Sequence, residues 1–269
     1  MRLITKSENN YMDIKKISSS ENEQIRLLKK LGQKKYRDEY GKFVVENYAI
    51  IHDALIGGFD CESLFVTDVF VKKQDEKTAF LFAKAKTAEK YVIDDRLNKK
   101  FSELDCPSGV AAICKKNKNK IDLKLPAVYL NGISDPGNVG TIMRTALAFG
   151  FRNIIVDSGC ADIYNPKTIS AAKDSVFKLN IIEDTNGDWL LKNRDNYCLV
   201  SANSNKGKEL KDFSTKKKIC LILGSESHGI SKDVLDIVDE NIKINISSEI
   251  ESLNVASAAA ILLHNFSTL

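Results

Sequence analysis

The stretch LNGISDPGNVGTIMRTA, residues 130–146, decides the fold that we predict for the second half of the chain. It completes an apolar run that predicts a strand at 127–130, passes through a turn of Gly, Asp and Pro, and then predicts a helix at 138–149. A strand, a turn and a helix in this order are typical of an α/β domain. Taken alone, the stretch is best explained by Asn138 capping the helix and Arg144 lying on its surface.

The same alternation continues towards the C-terminus. Apolar runs predict further strands at 153–156, 197–200, 219–223 and 242–246, and helical patterns lie at 166–173, 232–238 and 253–266. Several of the strands are apolar throughout, which is typical of a parallel sheet covered on both faces. We therefore predict an α/β domain with a parallel sheet over residues 125–269.

The N-terminal half predicts a separate, smaller α/β domain. Its β-rich runs lie at 43–45, 64–67, 91–93 and 110–113, and helical stretches lie at 47–56, 76–86 and 94–101. We assign this domain to residues 18–114 and the polar run after it, at 115–124, to a linker. Residues 1–17 have no firm pattern and are predicted to be a flexible arm.

The first predicted helix is basic. It begins near Ser20, because Ser20 and Glu23 have the spacing of a capping box before a helical run of Ile and Leu. Its cationic side chains are Arg26, Lys29, Lys30, Lys34, Lys35 and Arg37. Residues 1–124 hold 25 Lys and Arg against 19 Asp and Glu, within a net charge of +4 for all 269 residues. Such an excess suits phosphate contacts, although charge alone is better explained by a solvated surface.

Composition excludes several classes of protein. The longest apolar stretches fall well short of the roughly 20 residues of a membrane span, and the N-terminus lacks the apolar core of a secretory signal. We therefore expect a cytoplasmic protein without a membrane partner. The six cysteines form no Cys-x-x-Cys pair, so we expect neither a zinc site nor a disulfide framework. Hydrophobic residues make up 43% of the chain, which is enough to build a core in each of two domains.

A second loop that could carry catalytic or binding residues follows the apolar strand at 219–223. It reads GSESHGIS, residues 224–231. Its glycines permit close approach of the backbone to a ligand at the strand's carboxyl end, where open α/β sheets bind small molecules. A tight turn with Glu226 in solvent would also explain it. His228 has no partner in the sequence, so we expect a loop residue and not a metal ligand.

The third loop, INISSEIESLNVASAAA at 244–260, leads from a strand into a helix of small residues that we predict to begin at Ser252. A plain cap at Ser252 and close packing of the alanines would account for most of this loop.

Together, the three loops resemble the three motifs of the SpoU (TrmH) family of RNA 2'-O-methyltransferases, over residues 125–269. In that family the first motif supplies Asn and, six positions later, Arg, and the second supplies Gly and Glu. The third ends in Ser-Leu-Asn, with a cofactor contact nine residues upstream of the Leu. The matching positions are Asn138, Arg144, Gly224, Glu226, Ile244, Ser252, Leu253 and Asn254.

Two positions depart from the family pattern. Asn245 follows Ile244 where the family usually has Pro, and Ser248 stands where Gly is common. Both changes concern the stiffness of the loop around the cofactor, and neither affects a side chain assigned to catalysis. The N-terminal half is similar to the RNA substrate-binding domain that often precedes this catalytic domain and looks like ribosomal-protein folds. There, Asn47 replaces a common Gly.

The resemblance implies what each matching residue does. It implies S-adenosylmethionine as cofactor, contacted by Gly224, Ile244 and Leu253 in a pocket formed by a deep trefoil knot, and a homodimer as the working unit. It places Asn138, Arg144, Glu226, Ser252 and Asn254 at the reaction centre. Because a guanidinium is a poor base near neutral pH, we expect Arg144 to orient a phosphate and stabilise alkoxide charge. The substrate would be RNA, with ribosomal RNA favoured over transfer RNA, and no metal is required.

Two other classes of enzyme need residues that this sequence lacks. A phosphate-binding loop at 132–137 is rejected because Asn138 and Val139 stand where Lys and Ser or Thr are needed. A Rossmann enzyme is rejected because the chain has no Gly-x-Gly-x-x-Gly. The remaining alternative is a non-catalytic RNA-binding or ribosome-associated protein of the same fold, which would have no chemical need for all five reaction-centre residues.

Overall fold

The computed structural model of the chain describes residues 14–73, 75–116, 120–202 and 207–268. It forms two compact units, one made by Met1–Asn117 with Tyr164–Pro166 and the other by Lys118–Ile163 with Lys167–Leu269. The division near residue 117 falls inside the segment that we predict to be a linker.

The first unit contains a mixed sheet. In its described part the strands are β1 (Ile14–Ile17), β2 (Lys42–Glu46), β3 (Cys61–Thr67), β4 (Glu89–Ile93) and β5 (Val110–Lys115). Their order is β1-β4-β3-β5-β2, in which the first three are parallel and β5 is antiparallel to both of its neighbours. Because β1 pairs with β4 along its whole length, Ile14–Ile17 are not part of a flexible arm, and that prediction is wrong for these four residues. The rest of the predicted arm, residues 1–13, lies outside the described residues.

Helices accompany this sheet. They are α1 (Glu23–Leu31), α2 (Lys34–Tyr40), α3 (Tyr48–Ile56), α4 (Asp68–Lys73), α5 (Asp75–Lys84) and α6 (Asp95–Phe101). Three side chains of α1, Ile25, Leu28 and Leu31, are buried against the sheet residues Phe65 and Ile113 in one apolar core. Burying apolar surface in this way is the main contribution to the stability of such a unit.

Three predictions about the basic helix are wrong, and they concern its cap, its continuity and the exposure of Arg37. Asn22, and not Ser20, caps α1, because the Asn22 side chain accepts a hydrogen bond from the backbone N–H of Gln24. The predicted helix is also two helices, separated at Gly32. Arg37 in α2 is only 2% exposed, and its guanidinium donates to the backbone oxygens of Leu31 and Gly32 at 2.8 Å. Arg37 therefore holds α1 and α2 together and is not available to RNA.

The second unit is built on a parallel sheet. Its described strands are β6 (Ala127–Asn131), β7 (Asn153–Asp157), β8 (Asn180–Asp184), β9 (Cys198–Ala202), β10 (Lys208–Glu209), β11 (Ile219–Gly224) and β12 (Glu240–Lys243). Their order is β10-β12-β9-β11-β6-β7-β8, and every recorded pairing is parallel. The predicted α/β fold with a parallel sheet is confirmed.

The helices of the second unit lie between these strands in sequence, except for α12, which follows β12. They are α7 (Pro136–Ala148), α8 (Pro166–Ala172), α9 (Ser175–Lys178), α10 (Trp189–Asn193), α11 (Lys232–Leu235) and α12 (Val255–Phe266). From β6 the chain continues to β7 and β8 on one side and later returns through β11 on the other. The carboxyl ends of β6 and β11 therefore lie at a topological switch point, where open α/β sheets form their ligand sites.

No helix in the described ranges is both long and apolar enough to cross a bilayer. In the same ranges, no group of three or more His, Cys, Asp or Glu side chains is suited to bind a metal ion.

Candidate functional site

Two of the three loops singled out in the sequence begin at neighbouring strands of the second unit. β6 and β11 are hydrogen-bonded partners, with Asn131 in register with Gly224 at their carboxyl ends. Because the strands run in parallel, the loops after them leave the sheet at the same edge. The third loop follows β12, two strands away from β11.

In the first loop, Asp135 frees the Asn138 side chain for other contacts. Asp135, and not Asn138, caps α7, since its carboxylate accepts the backbone N–H of Asn138 at 2.7 Å. Pro136 occupies the first turn of the helix, where no backbone donor is needed. Asn138 therefore lies inside the helix with its amide group directed to residues of the other two loops.

Glu226 connects those loops. Its Oε1 atom accepts from the Asn254 amide at 2.6 Å, from the backbone N–H of Val255 at 3.3 Å and from the Asn138 amide at 3.4 Å. The Asn254 amide also donates to Asn138 Oδ1 at 3.0 Å. We call Asn138, Glu226 and Asn254 the polar cluster. Its three members, one from each loop, lie up to 116 residues apart in the chain.

The second loop has a closed shape. Ser225 and Gly229 exchange backbone hydrogen bonds of 3.1 and 2.8 Å, which folds residues 225–229 into a tight hairpin with Glu226 at its start. Gly224 lies against this hairpin, since a Cβ atom on it would be 2.3 Å from the carbonyl carbon of Gly229. Only glycine fits at this position without moving the backbone.

The third loop ends at a helix cap. Asn254 Oδ1 accepts from the backbone N–H groups of Ala256 and Ser257, at 2.9 and 3.2 Å, so α12 begins at Val255. The predicted helix start at Ser252 is wrong, and Ser252 lies exposed in the loop. Asn254 thus has two functions, because its oxygen caps a helix while its nitrogen binds the polar cluster.

A cavity of about 330 Å³ opens beside the polar cluster, between the second and third loops. This volume is within the range of small-molecule sites, as is the mixture of apolar walls and few polar groups. All three residues predicted to contact a cofactor line it, and Glu226 and Ser252 do so too. The lining residues that carry the argument are Gly224, Glu226, Ile244, Ser252 and Leu253.

Arg144 lies apart from these groups. It is exposed on α7, six residues after Asn138, which corresponds to about 120° around the helix. Among the described residues the Arg144 guanidinium has no recorded hydrogen bond or ion pair with the polar cluster. Of the five residues predicted at the reaction centre, hydrogen bonds join Asn138, Glu226 and Asn254, and Ser252 lines the same cavity as Glu226. Within the described part of one chain, no recorded hydrogen bond joins Arg144 to the other three.

The predicted RNA-binding residues lie in the first unit. Arg26, Lys29, Lys30, Lys34 and Lys35 are exposed on α1 and α2. Lys30 lies over the rings of Tyr36 and Tyr40, with its Nζ atom 5.4 and 6.0 Å from the two centroids. These cations remain accessible to a polyanion, in contrast to Arg37.

The sequence interpretation missed a set of residues beneath the site. Asn131 donates to Asp157 and accepts from the backbone of Ser231, and the backbone oxygen of Asp157 accepts the N–H of Cys160 at 3.2 Å. Burial, followed by the charge of Asp157, raises the pKa of the Cys160 thiol to about 12. The only available signal was position, since Asn131 and Asp157 each end a buried strand.

Family comparison matches both units. Residues 126–264 match the model of the SpoU rRNA Methylase family, and residues 22–112 match an MRM3-like substrate binding domain.

Individual relatives match over nearly the whole chain. The 23S rRNA (guanosine(2553)-2'-O)-methyltransferase RlmP of Bacillus subtilis is 27% identical over 254 residues, which cover 94% of this chain and 99% of that protein. The 23S rRNA (uridine(2479)-2'-O)-methyltransferase of Streptomyces viridochromogenes is 24% identical, covering 87% and 85% of the two chains.

A solved structure shares the fold. The AdoMet-bound rRNA methyltransferase from Sinorhizobium meliloti superposes with a TM-score of 0.80 at 24% identity, over 94% of this chain and 97% of that one.

Proposed function

Because the chain belongs to the SpoU rRNA Methylase family, we propose that it transfers a methyl group from S-adenosylmethionine to a ribose 2'-hydroxyl of RNA. The observation that carries this proposal is the polar cluster of Asn138, Glu226 and Asn254 beside the cavity, which Glu226 lines. The substrate is ribosomal RNA, which is the substrate in the names of both relatives described above.

The cavity suits the cofactor. Leu223, Ile230, Ile242, Ile244 and Leu253 give it apolar walls against which an adenine ring can pack. Gly224 brings the backbone of the second loop to its edge without a side chain in the way. Residues at three strand ends thus provide both apolar surface and backbone groups for a nucleoside. We also propose that the deep trefoil knot implied by the family forms this pocket.

S-adenosylmethionine would supply an electrophilic methyl group on a sulfonium, whose S–CH3 bond breaks as the ribose oxygen forms the new C–O bond. The hydroxyl proton would pass to solvent water, so the chain has only to align the hydroxyl and stabilise the charge that develops on its oxygen. Glu226 fixes the amide groups of Asn138 and Asn254, because charge-assisted hydrogen bonds to a carboxylate are stronger than neutral ones. The fixed amides and the exposed Ser252 hydroxyl present hydrogen-bonding groups to the sugar. A preorganised site of this kind lowers the barrier without itself changing chemically.

Arg144 supplies the positive charge in this proposal. A guanidinium stays protonated near neutral pH, so Arg144 stabilises the developing alkoxide and an adjacent phosphate and does not act as a base. Since Arg144 lies about 120° around α7 from Asn138, one chain does not direct both at the same point. We propose that the enzyme is a homodimer, in which Arg144 of one copy serves the polar cluster of the other.

The first unit binds the RNA. Its match to a substrate binding domain and the exposed cations of α1 and α2 support this proposal. Each Lys or Arg that neutralises a phosphate releases counterions, so binding should weaken steeply as salt rises. The cations concerned are Arg26, Lys29, Lys30, Lys34 and Lys35.

Two measurements test the proposed function. Calorimetric titration with S-adenosylmethionine should show one site for each chain, whereas a non-catalytic RNA-binding protein would show none. Nucleoside mass spectrometry of ribosomal RNA from cells with and without the protein should reveal the loss of one 2'-O-methylated nucleoside. Loss of a methylated base with intact ribose methylation would contradict the reaction proposed.

A further inference from the structure

We propose that Asn131 and Asp157 are positioning residues, which hold the wall of the cofactor cavity through a chain of hydrogen bonds from β7 to the second loop. The inference rests on the proposed cofactor site and assigns a function to two side chains that are not among those lining the cavity.

Asn131 uses both ends of its amide group. It is the last residue of β6 and is 8% exposed. Its Nδ2 atom donates to Asp157 Oδ2 at 2.7 Å, and its Oδ1 atom accepts the backbone N–H of Ser231 at 2.7 Å. One side chain thereby ties the carboxyl end of β7 to the end of the second loop.

Asp157 fixes the orientation of that amide. Its carboxylate also accepts the backbone N–H groups of Gly132 and Gly159, each at 3.0 Å. Gly132 has φ +69°, in the left-handed region that favours glycine, so its N–H reaches the carboxylate without strain. With donors on both oxygens, Asp157 can only accept, and Asn131 must present its nitrogen to it.

The chain of hydrogen bonds ends at the cavity. Ser231 directly follows Gly229 and Ile230, which line the cavity, and Gly229 is paired with Ser225. If Ser231 loses its acceptor, the end of this hairpin is no longer anchored to β6. The wall beside Glu226 should then become mobile, and cofactor affinity should fall.

The decisive variant is Asn131→Asp, which has the same shape but places a second carboxylate against Asp157. Near pH 8 the two like charges repel, and the dissociation constant for S-adenosylmethionine should rise by at least about tenfold. Near pH 5 the pair takes up a shared proton, which restores a hydrogen-bond donor. The ratio of the variant's dissociation constant to that of wild type should then fall towards one.

Neighbouring ionisable groups do not account for that pH dependence. Burial raises the pKa values of Cys160 and Tyr129, so both stay neutral in this range. Asp184 behind Tyr129, and Lys232 and Asp233 after Ser231, are the same in variant and wild type, so their effects cancel in the ratio.

A matched control adds the same charge elsewhere. Asn196→Asp changes an exposed Asn of the second unit and should leave cofactor affinity unchanged at both pH values.

The exchanged pair Asn131→Asp with Asp157→Asn gives the sharpest test. The new amide at 157 can donate to the carboxylate at 131 and still accept from Gly132 and Gly159, while residue 131 still accepts from Ser231. The double variant should bind the cofactor within about threefold of wild type at both pH values, because each group again has a partner. If the single variant does not fold, the cofactor affinity of the double variant still tests the inference.

Hydrogen exchange adds a readout without cofactor. The Ser231 amide should exchange at least about tenfold faster in Asn131→Asp than in wild type near pH 8, and at the wild-type rate in the exchanged pair. If wild type fails to bind S-adenosylmethionine, the proposed function is wrong. If wild type binds and Asn131→Asp binds equally well near pH 8, or the exchanged pair fails to recover affinity, this inference is overturned.

Discussion

Replacing Asn254 by Ser and by Ala separates its two functions. Its Oδ1 atom caps α12, and its Nδ2 atom donates to Glu226 at 2.6 Å and to Asn138 at 3.0 Å. A Ser hydroxyl can still accept from the first turn of the helix but is too short to replace both side-chain contacts. Ala loses the cap and the contacts together.

The expected sizes differ for stability and activity. Loss of a cap costs about 1 kcal/mol, or about 2–4 °C in Tm for a domain of this size, so Ala should lower Tm by that amount and Ser by little. A hydrogen bond to a charged group contributes about 1.5–3 kcal/mol, which corresponds to a loss of about ten- to a hundredfold in kcat/KM for both variants.

The assay compares Tm by calorimetry with steady-state methyl transfer for wild type, Asn254→Ser and Asn254→Ala. Wild-type kcat/KM in the Ser variant would refute the reasoning, because the polar cluster would then be dispensable. Equal losses of Tm in both variants would refute the assignment of the cap.

Four further outcomes are expected. Arg144→Ala should abolish turnover and leave the calorimetric affinity for S-adenosylmethionine nearly intact; a large loss of affinity would oppose the division of functions proposed. Gly224→Ala should abolish cofactor binding, because its Cβ would lie 2.3 Å from the backbone of Gly229, and titration of a folded variant measures this directly. Lys30→Glu should weaken RNA binding and flatten its salt dependence in filter-binding assays, and an unchanged slope would exclude a phosphate contact. Burial raises the pKa of Glu46, so the folded state holds this proton to higher pH than the unfolded state and stability falls as pH rises above the unfolded pKa. In Glu46→Gln, Tm should fall less steeply with rising pH than in wild type. A dependence of Tm on pH equal to that of wild type would contradict this assignment.

The sequence predicted the central strands well because they are buried on both faces. β6 and β11 are apolar almost throughout and were found within one residue of their limits. β8, which reads NIIED, was missed because it lies at the edge of the sheet and keeps polar residues at three of its five positions. β10 has two residues and gives no periodic signal.

Helix starts were predicted less well because neighbouring residues compete as caps. In the structure, Asn22 and not Ser20 caps α1, and Asn254 and not Ser252 caps α12. In the second case the choice depends on a contact with Glu226, 28 residues away, which no local pattern contains. Arg37 was assigned to the surface because nothing in its neighbourhood shows that two backbone oxygens lie within its reach.

The sequence predicts which loops form the candidate site, but it does not predict the hydrogen bonds between their side chains. Strand order brings the loops after β6 and β11 to one edge of the sheet. The alternation of apolar runs with helical patterns along the sequence indicates those two strands. The pairing of Asn131 with Asp157 depends instead on the register of β6 and β7 and on the turns at Gly132 and Gly159, which only the folded chain shows.

The most direct test of the proposed reaction follows the methyl group itself. Purified protein, S-adenosylmethionine with a labelled methyl group and unmodified ribosomal RNA are incubated, and the RNA is then hydrolysed in alkali. Alkaline cleavage needs a free 2'-hydroxyl, so the account predicts label in an alkali-resistant dinucleotide, absent with Glu226→Ala. Label released in a mononucleotide would place the methyl group on a base and contradict it.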